Sequence, residues 1–496
     1  MRRPRLELVV FVVGAASLGA EIAAARLLAP YFGASTIVWA NTIATVLVAL
    51  SAGYWLGGRL ADRNPTFEGL SRLVLGAAAL LAAVPFAAGP FLRTSVDALD
   101  SISAGAFVGS LVGVLVLVAA PVLLLGTVAP YALRLSVRSV EESGTVAGRL
   151  YAISTVGSLA GVFLSALALI PLVGTRRTFL VFALALGVVA ALGLRRRFAV
   201  APVGIAALIA VPVGTVKAAD GKVIWERETP YQYARVVQTD DGERRLELNE
   251  GQAVHSVYKP GRWLTDDYWD GFLVLPFAAA RRPPRRVAIL GSAAGTTVRA
   301  YGHFFPRTAI DAVEIDRSLI EVGRELFDMR APRLRTHAED ARPWLERTSA
   351  RFDAIFVDAY RQPYIPFYLA TREFFDLVRD RLTPGGVVVI NVGHPEGSGR
   401  LARVLATTMG DVFTTVLHDP MEPTNSLLVA TDAPAGPERL RAAARGLPPD
   451  LRPVAELAAR RLRPAQRGGL VYTDDRAPVE WLIDSSIVQY AARGGN

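Results

Sequence analysis

Apolar stretches crowd the first 216 residues of the chain, near Leu6–Phe32, Thr36–Gly58, Leu70–Leu92, Ala104–Leu133, Leu150–Val173, Phe179–Leu194 and Phe198–Val216. Each is close to the roughly 20 residues needed to cross a hydrocarbon layer. Backbone polar groups have no water to bond there, so such segments fold as helices. The first is no cleaved leader, because it is too long, carries Glu21 and Arg26, and is followed by further spans. The seventh, with Pro202, Pro212 and two glycines, reads either as a span or as a re-entrant, interfacial segment. Over the whole chain 52% of residues are hydrophobic and only 20% charged, and most acidic residues lie after about residue 216. That asymmetry separates a membrane half from a water-soluble half.

The formal charge of +9 has a membrane explanation once it is located. Arg2, Arg3 and Arg5 precede span one; Arg59, Arg63 and Arg72 lie between two and three. Arg134, Arg138 and Arg149 lie between four and five, and Arg195, Arg196 and Arg197 between six and seven. The alternate loops hold only Arg93, Arg176 and Arg177. This bias places the N-terminus in the cytoplasm of a multi-pass cell-membrane protein with the lipid bilayer as a partner. A full seventh span would put the soluble half outside the cytoplasm, and a re-entrant one would keep it inside. No stripe of basic and aromatic residues points to nucleic acid. The absence of cysteine excludes disulfides, thiolate metal sites and cysteine nucleophiles. Glu21 and Arg26 read as a buried polar clamp between helices, with a substrate or ion path as the alternative. Gly109 and Gly113, four apart, suit close helix packing.

From Lys217 the pattern changes. Thr229–Thr239, Arg244–Leu248 and Ala253–Tyr258 look like short strands, with turns at Asp241-Gly242 and Asn249–Gly251. After a linker at Arg281–Arg286, an apolar strand Val287–Leu290 runs into Gly291-Ser292-Ala293-Ala294-Gly295 and a helix at about Thr296. A second strand, Ala309–Ile315, ends at Glu314 and Asp316 before a helix near Leu319–Phe327. A strand, glycine turn, helix, strand and acid compose a nucleoside- or dinucleotide-binding unit. His337–Asp340 ends an intervening strand, and Phe352–Val357 terminates in Asp358. Phe374–Arg381 reads as a helix stopped by Thr383-Pro384-Gly385-Gly386, before a strand Val387–Asn391. Ligands of open parallel sheets bind beyond the carboxyl ends of the strands, so Glu314, Asp340 and Asp358 are expected at one crevice with Gly291 and Gly295. His255 and His303 have no second ligand at metal spacing, so no metal is expected. Tyr360, Tyr364 and Tyr368, with Pro363 and Pro366, read as a gate loop over the crevice, or as aromatic packing.

The run Val313-Glu314-Ile315-Asp316, Glu339-Asp340-Ala341, Phe352 to Asp358 and Leu382-Thr383-Pro384-Gly385-Gly386 resembles the core of spermidine synthases, the polyamine aminopropyltransferases. Tyr231-Gln232-Tyr233 is similar to their early tyrosine–glutamine strand, and Tyr268-Trp269-Asp270 with Pro276 resembles their tyrosine–acid helix. The apolar N-terminus and the ending Tyr472 to Glu480 look like the membrane-fused branch. The resemblance implies a transmembrane helical domain at 1–216 with six or seven spans and a small β domain at 217–284. A Rossmann-like, class I methyltransferase-like catalytic domain would follow at 285–496. It also implies that Glu314 holds ribose, Asp340 the adenine amino group, Gln232 the aminopropyl tail, and Asp358 the proton. Tyr268, Asp270, Asp474 and Asp475 are the candidates for holding the amine. No cofactor is implied beyond a co-substrate, decarboxylated S-adenosylmethionine, and a homodimer is possible.

Three departures bear on the substrate. The family's glycine loop has an aspartate where this chain has Ala294. The second carboxylate three residues after the catalytic aspartate is here Arg361, a charge reversal. The late tyrosine motif is not recognisable around Pro420–Asn425, and Asp270, Asp474, Asp475 or Glu480 is left to supply the missing negative charge. Three functions remain open: an aminopropyltransferase acting on a putrescine-like amine, a methyltransferase using intact S-adenosylmethionine, or a transporter or sensor whose soluble domain only binds.

Overall fold

The computed structural model describes residues 6–32, 36–99, 105–211, 221–249, 254–360, 365–394, 398–421, 424–479 and 482–483. The chain divides into two compact units, Met1–Ala218 with Glu226–Ala234, and Ala219–Trp225 with Arg235–Asn496.

The first unit is helical: α1 (Leu6–Phe32), α2 (Thr36–Arg63), α3 (Phe67–Leu99), α4 (Gly105–Leu117), α5 (Ala119–Gly126), α6 (Val128–Ser136), α7 (Ser143–Leu164), α8 (Ile170–Val173), α9 (Thr175–Leu192) and α10 (Val200–Ala210). Among the described residues, six helical stretches are long and apolar enough to cross a membrane. The expected fourth span, Ala104–Leu133, is broken at Val118 and Thr127. Each break lies three residues before a proline, Pro121 or Pro130, whose missing N–H and ring disrupt the preceding turn. The long enough piece is Ala119–Ser136. In the described part of the seventh stretch, Val200–Ala210, 11 residues, is α-helical after a 3-10 turn at Arg196–Ala199, and residues 212–216 lie outside the described ones. Glycines let α7 lie against α1, since a Cβ on Gly161 would sit 2.1 Å from the Ala15 carbonyl oxygen. Arg26, near the end of α1, donates to the Pro230 carbonyl, and Thr175, opening α9, donates to Glu228. At the opposite end of the helices, Glu7 pairs with Arg149 and Asp62 with Arg134.

Between Lys222 and Tyr258 the strands β1 (Lys222–Glu228), β2 (Tyr233–Gln238), β3 (Arg244–Leu248) and β4 (Val254–Tyr258) form a sheet in sequence order. Its first strand, β1, has no counterpart in the sequence reading, whose first strand began at Thr229. The second sheet has eight strands: β5 (Arg286–Leu290), β6 (Ala309–Val313), β7 (Leu334–His337), β8 (Phe352–Val357), β9 (Leu382–Gly393), β10 (Thr415–Asp419), β11 (Asn425–Thr431) and β12 (Arg463–Pro464). Their order is β12-β10-β11-β9-β8-β5-β6-β7. The run from β9 to β7 is parallel, and β10, β11 and β12 add antiparallel pairs. The buried strands β5 and β8 are almost continuously apolar because helices cover both faces of such a sheet. Thr383-Pro384-Gly385-Gly386 does not separate helix from strand as expected. It forms an irregular start to β9, where Phe352 pairs with Leu382 but Ala354 with Val387.

Candidate active site

Four neighbouring parallel strands end at the same edge, and backbone bonds tie their ends together. Gly291 and Ser292 N–H, after β5, donate to the Val313 carbonyl of β6 at 2.9 and 3.1 Å. Glu314 N–H, after β6, donates to His337 of β7, and Asp358 N–H, after β8, donates to Leu290 of β5. Glu314, Asp340 and Asp358 therefore come after adjacent strand termini, where ligands of such sheets bind. Gly291 makes this closeness possible. Its φ is +83°, and a Cβ there would lie 2.4 Å from the Asp358 carbonyl oxygen. Gly295, φ +93°, turns the chain into the helix Thr296–Phe304.

Asp358 is the best-equipped of the three acids. Its Oδ1 accepts from Asn391 Nδ2 at 2.8 Å, and its Oδ2 accepts from the Tyr268 hydroxyl at 3.1 Å. Burial pushes its pKa up to about 6, while the hydrogen bonds from Asn391, Tyr268 and Trp269 hold it down and the nearby charge of Asp267 raises it further. Burial, and next the Asp358 charge, push the Tyr268 hydroxyl well above its ordinary range, so it remains a donor. Such a carboxylate is ionised at neutral pH yet close enough to neutrality to exchange a proton.

Glu314, 7% exposed, accepts the Ala293 N–H at 2.9 Å and the Asp316 N–H at 3.1 Å. Burial pushes its pKa up to about 7, against the pull of those N–H groups. Each oxygen keeps acceptor capacity, which suits a sugar hydroxyl. Asp340 caps the helix Ala341–Arg347 by accepting the Arg342 N–H at 3.0 Å, and its other oxygen accepts the Tyr368 hydroxyl at 2.7 Å. Gln232 lies in the other compact unit, buried, with its backbone bonded to Thr229.

The expected amine-holding acids divide. Tyr268 reaches Asp358, but Asp270 does not serve as a free carboxylate. It is 4% exposed and turns back onto its own loop, accepting from Thr265 N–H at 2.9 Å, Thr265 Oγ1 at 3.0 Å and Asp266 N–H at 2.8 Å. Its role is to hold the loop that aims Tyr268. Asp474 likewise is committed elsewhere. Both its oxygens bind Arg342, at 2.7 and 2.6 Å, and one also accepts from Thr371 Oγ1 at 2.7 Å. Asp475 is exposed on the turn between Thr473 and Arg476. Arg361, Pro363, Tyr364 and Glu480 lie outside the described residues. The tyrosines flanking that segment are pinned: Tyr360 donates to the Asn391 carbonyl at 2.8 Å, and Tyr368 to Asp340. Two residues at Asp358 escaped the sequence reading, Asn391 and Asp267. Asn391 was visible as the polar end of an apolar strand, and Asp267 as the acid just before Tyr268. His255 is half-buried, and His303 stacks on Trp263 at 4.1 Å, a packing role.

Comparison with known proteins finds relatives for part of the chain. A family model, the spermine/spermidine synthase domain, matches residues 274–421. A probable polyamine aminopropyl transferase of Bifidobacterium longum is 31% identical over 314 residues, 58% of this chain and 70% of that protein. Polyamine aminopropyltransferase 2 of Pseudomonas aeruginosa is 31% identical over 209 residues, 39% of this chain and 56% of that protein. Among solved structures, a probable spermidine synthase from Corynebacterium glutamicum is similar at 23% identity and a TM-score of 0.39, covering 51% of this chain and 98% of that one. On the extent of the Bifidobacterium match, the chain belongs to the polyamine aminopropyltransferase family, as an enzyme of the spermidine synthase type.

Proposed function

We propose that this protein is a membrane-bound aminopropyltransferase that moves an aminopropyl group from decarboxylated S-adenosylmethionine to a putrescine-like amine, with Asp358 as general base. The observation that carries this reading is Asp358 itself, a partly shielded carboxylate at a strand end, held by Tyr268 and Asn391. The amine nitrogen attacks the aminopropyl carbon beside the sulfonium. The carbon–sulfur bond breaks, its electron pair stays on sulfur, and neutral methylthioadenosine leaves. The proton lost by nitrogen passes to Asp358. An alkylammonium is mostly protonated at neutral pH, so a nearby base is needed before attack. Glu314 would hold the ribose, with the Gly291–Gly295 turn letting backbone approach the nucleoside.

A second reading, methyl transfer from intact S-adenosylmethionine, is favoured by one feature. Ala294 is fully buried and its N–H donates to Ser256 Oγ at 3.0 Å, so no carboxylate meets the co-substrate tail there. Incubating the purified full chain with each nucleoside and a panel of di- and polyamines separates the two. Methylthioadenosine with an aminopropylated amine supports the first; S-adenosylhomocysteine from intact nucleoside would replace it with the second.

We also infer that the helical unit spans a bilayer with its N-terminus cytoplasmic. The support is six helical stretches of sufficient length and the arginine asymmetry of the loops. Glu228 and Pro230, which meet the end of α1 and the start of α9, then lie on the side opposite the N-terminus, which requires the stretch after α9 to make a seventh crossing.

A further inference from the structure

The Asn391 side chain joins two partners. Its Nδ2 donates to Asp358, and its Oδ1 accepts from Asn425 Nδ2 at 2.9 Å. Asn391 is 3% exposed, so its amide is held by protein partners and not by bulk water. Asn425 opens β11 opposite Gly393, with Leu427 opposite Asn391. Its own Oδ1 accepts from Thr424 Oγ1 at 3.4 Å, leaving Nδ2 aimed at Asn391.

Such a pair of amides has a direction. As observed, N–H groups point from Asn425 to Asn391 to Asp358, and each donor meets an acceptor. Reversal would turn Asn391 Oδ1 toward Asp358. That oxygen repels a carboxylate and is satisfied only by a protonated carboxyl, which can donate. The direction of the amides and the proton on Asp358 are thus one linked variable.

We propose that Asn425, acting through Asn391, is a positioning residue that fixes this direction and keeps Asp358 in the proton-accepting form. The proton's origin rests on the aminopropyl-transfer reading; the linkage itself does not. Among the described residues, the other groups facing Asp358 are Tyr268, Trp269 and Asp267 from the loop and helix beside β8, and Tyr360 from the segment after it. Of these only Asp267 carries charge, and it opposes ionisation. Neutral donors must therefore offset it, and Asn391 is the one whose orientation depends on a remote residue.

The test uses the full chain with Asn425→Leu, which is similar in size and lacks the donor, and Asn425→Ala, which removes it without adding bulk. The infrared band of the protonated Asp358 carboxyl, assigned by its loss in Asp358→Asn, is followed against pH. Its midpoint should rise by about half a pH unit in both variants, because the bond lost joins two neutral amides and acts on Asp358 only through Asn391. In an Asn391→Leu background, Asn425→Leu should add no further rise, because the linking amide is gone. An unmoved midpoint, or an equal rise without Asn391, would overturn the proposal. The acid limb of kcat/KM should move with the band. A moving band with no transfer to any amine would leave the linkage standing and remove the aminopropyl reading; transfer with a static band would do the reverse.

Discussion

Replacing Tyr268 with phenylalanine removes one donor from Asp358 and little else. The ring packs on Trp269 at 4.4 Å and Phe272 at 6.2 Å, contacts that phenylalanine keeps. A hydrogen bond to a charged group contributes about 1.5–3 kcal/mol. Asp358 retains Asn391 and Trp269, so the lower end applies, which corresponds to about one pKa unit. Loss of the donor disfavours the carboxylate, so the midpoint rises from about 6 toward roughly 7. As the proposed base, Asp358 works deprotonated, so activity climbs with pH through that midpoint. In Tyr268→Phe, kcat/KM should fall about two-fold at pH 7 and about ten-fold below pH 5, and match the parent near pH 9. Aminopropyl transfer measured from pH 5 to 9 reports this directly. A loss of equal size at every pH would refute the reasoning, because Tyr268 would then act on substrate and not through Asp358.

Other outcomes rest on the same geometry. Glu314→Gln should weaken nucleoside binding by about ten-fold or more, read by calorimetry, because its one amide oxygen can accept from only one of the Ala293 and Asp316 N–H groups that the two carboxylate oxygens hold, and its amide nitrogen faces the other. Asp474→Asn should lower stability by about 1 kcal/mol in denaturant titration through its bonds to Arg342 and Thr371, and leave the amine KM unchanged. A changed KM would return Asp474 to the amine site. Single cysteines at exposed Pro230 and Ser139, in a chain with no native cysteine, should differ toward an impermeant maleimide on intact cells. Position 230 should react, and position 139 only after permeabilisation; the opposite pattern would reverse the orientation.

Much of the site was legible because strand ends announce themselves. Apolar runs such as Phe352–Val357 stop at an acid, and topology carries that acid to the common edge. The approach of Gly291 to Asp358 also follows from a glycine placed directly after a strand. What escaped depends on contacts between residues distant in sequence. Asn391 and Asn425 are 34 positions apart and meet only because β11 returns antiparallel beside β9. Asp474 had the right charge, but nothing local revealed that Arg342 already occupied it; Asp270 is held by Thr265, close in sequence but only through the fold of its loop. The broken fourth span was foreshadowed by Pro121 and Pro130, which a count of apolar residues passes over.

In the proposed mechanism Asp358 takes the proton while the nucleoside is bound elsewhere. Purified Asp358→Asn should bind methylthioadenosine within about two-fold of the parent affinity, since Glu314 and the Gly291 turn are untouched, yet form less than about one-hundredth of the product per unit time. Parent-like turnover in Asp358→Asn, at matched nucleoside occupancy, would contradict it.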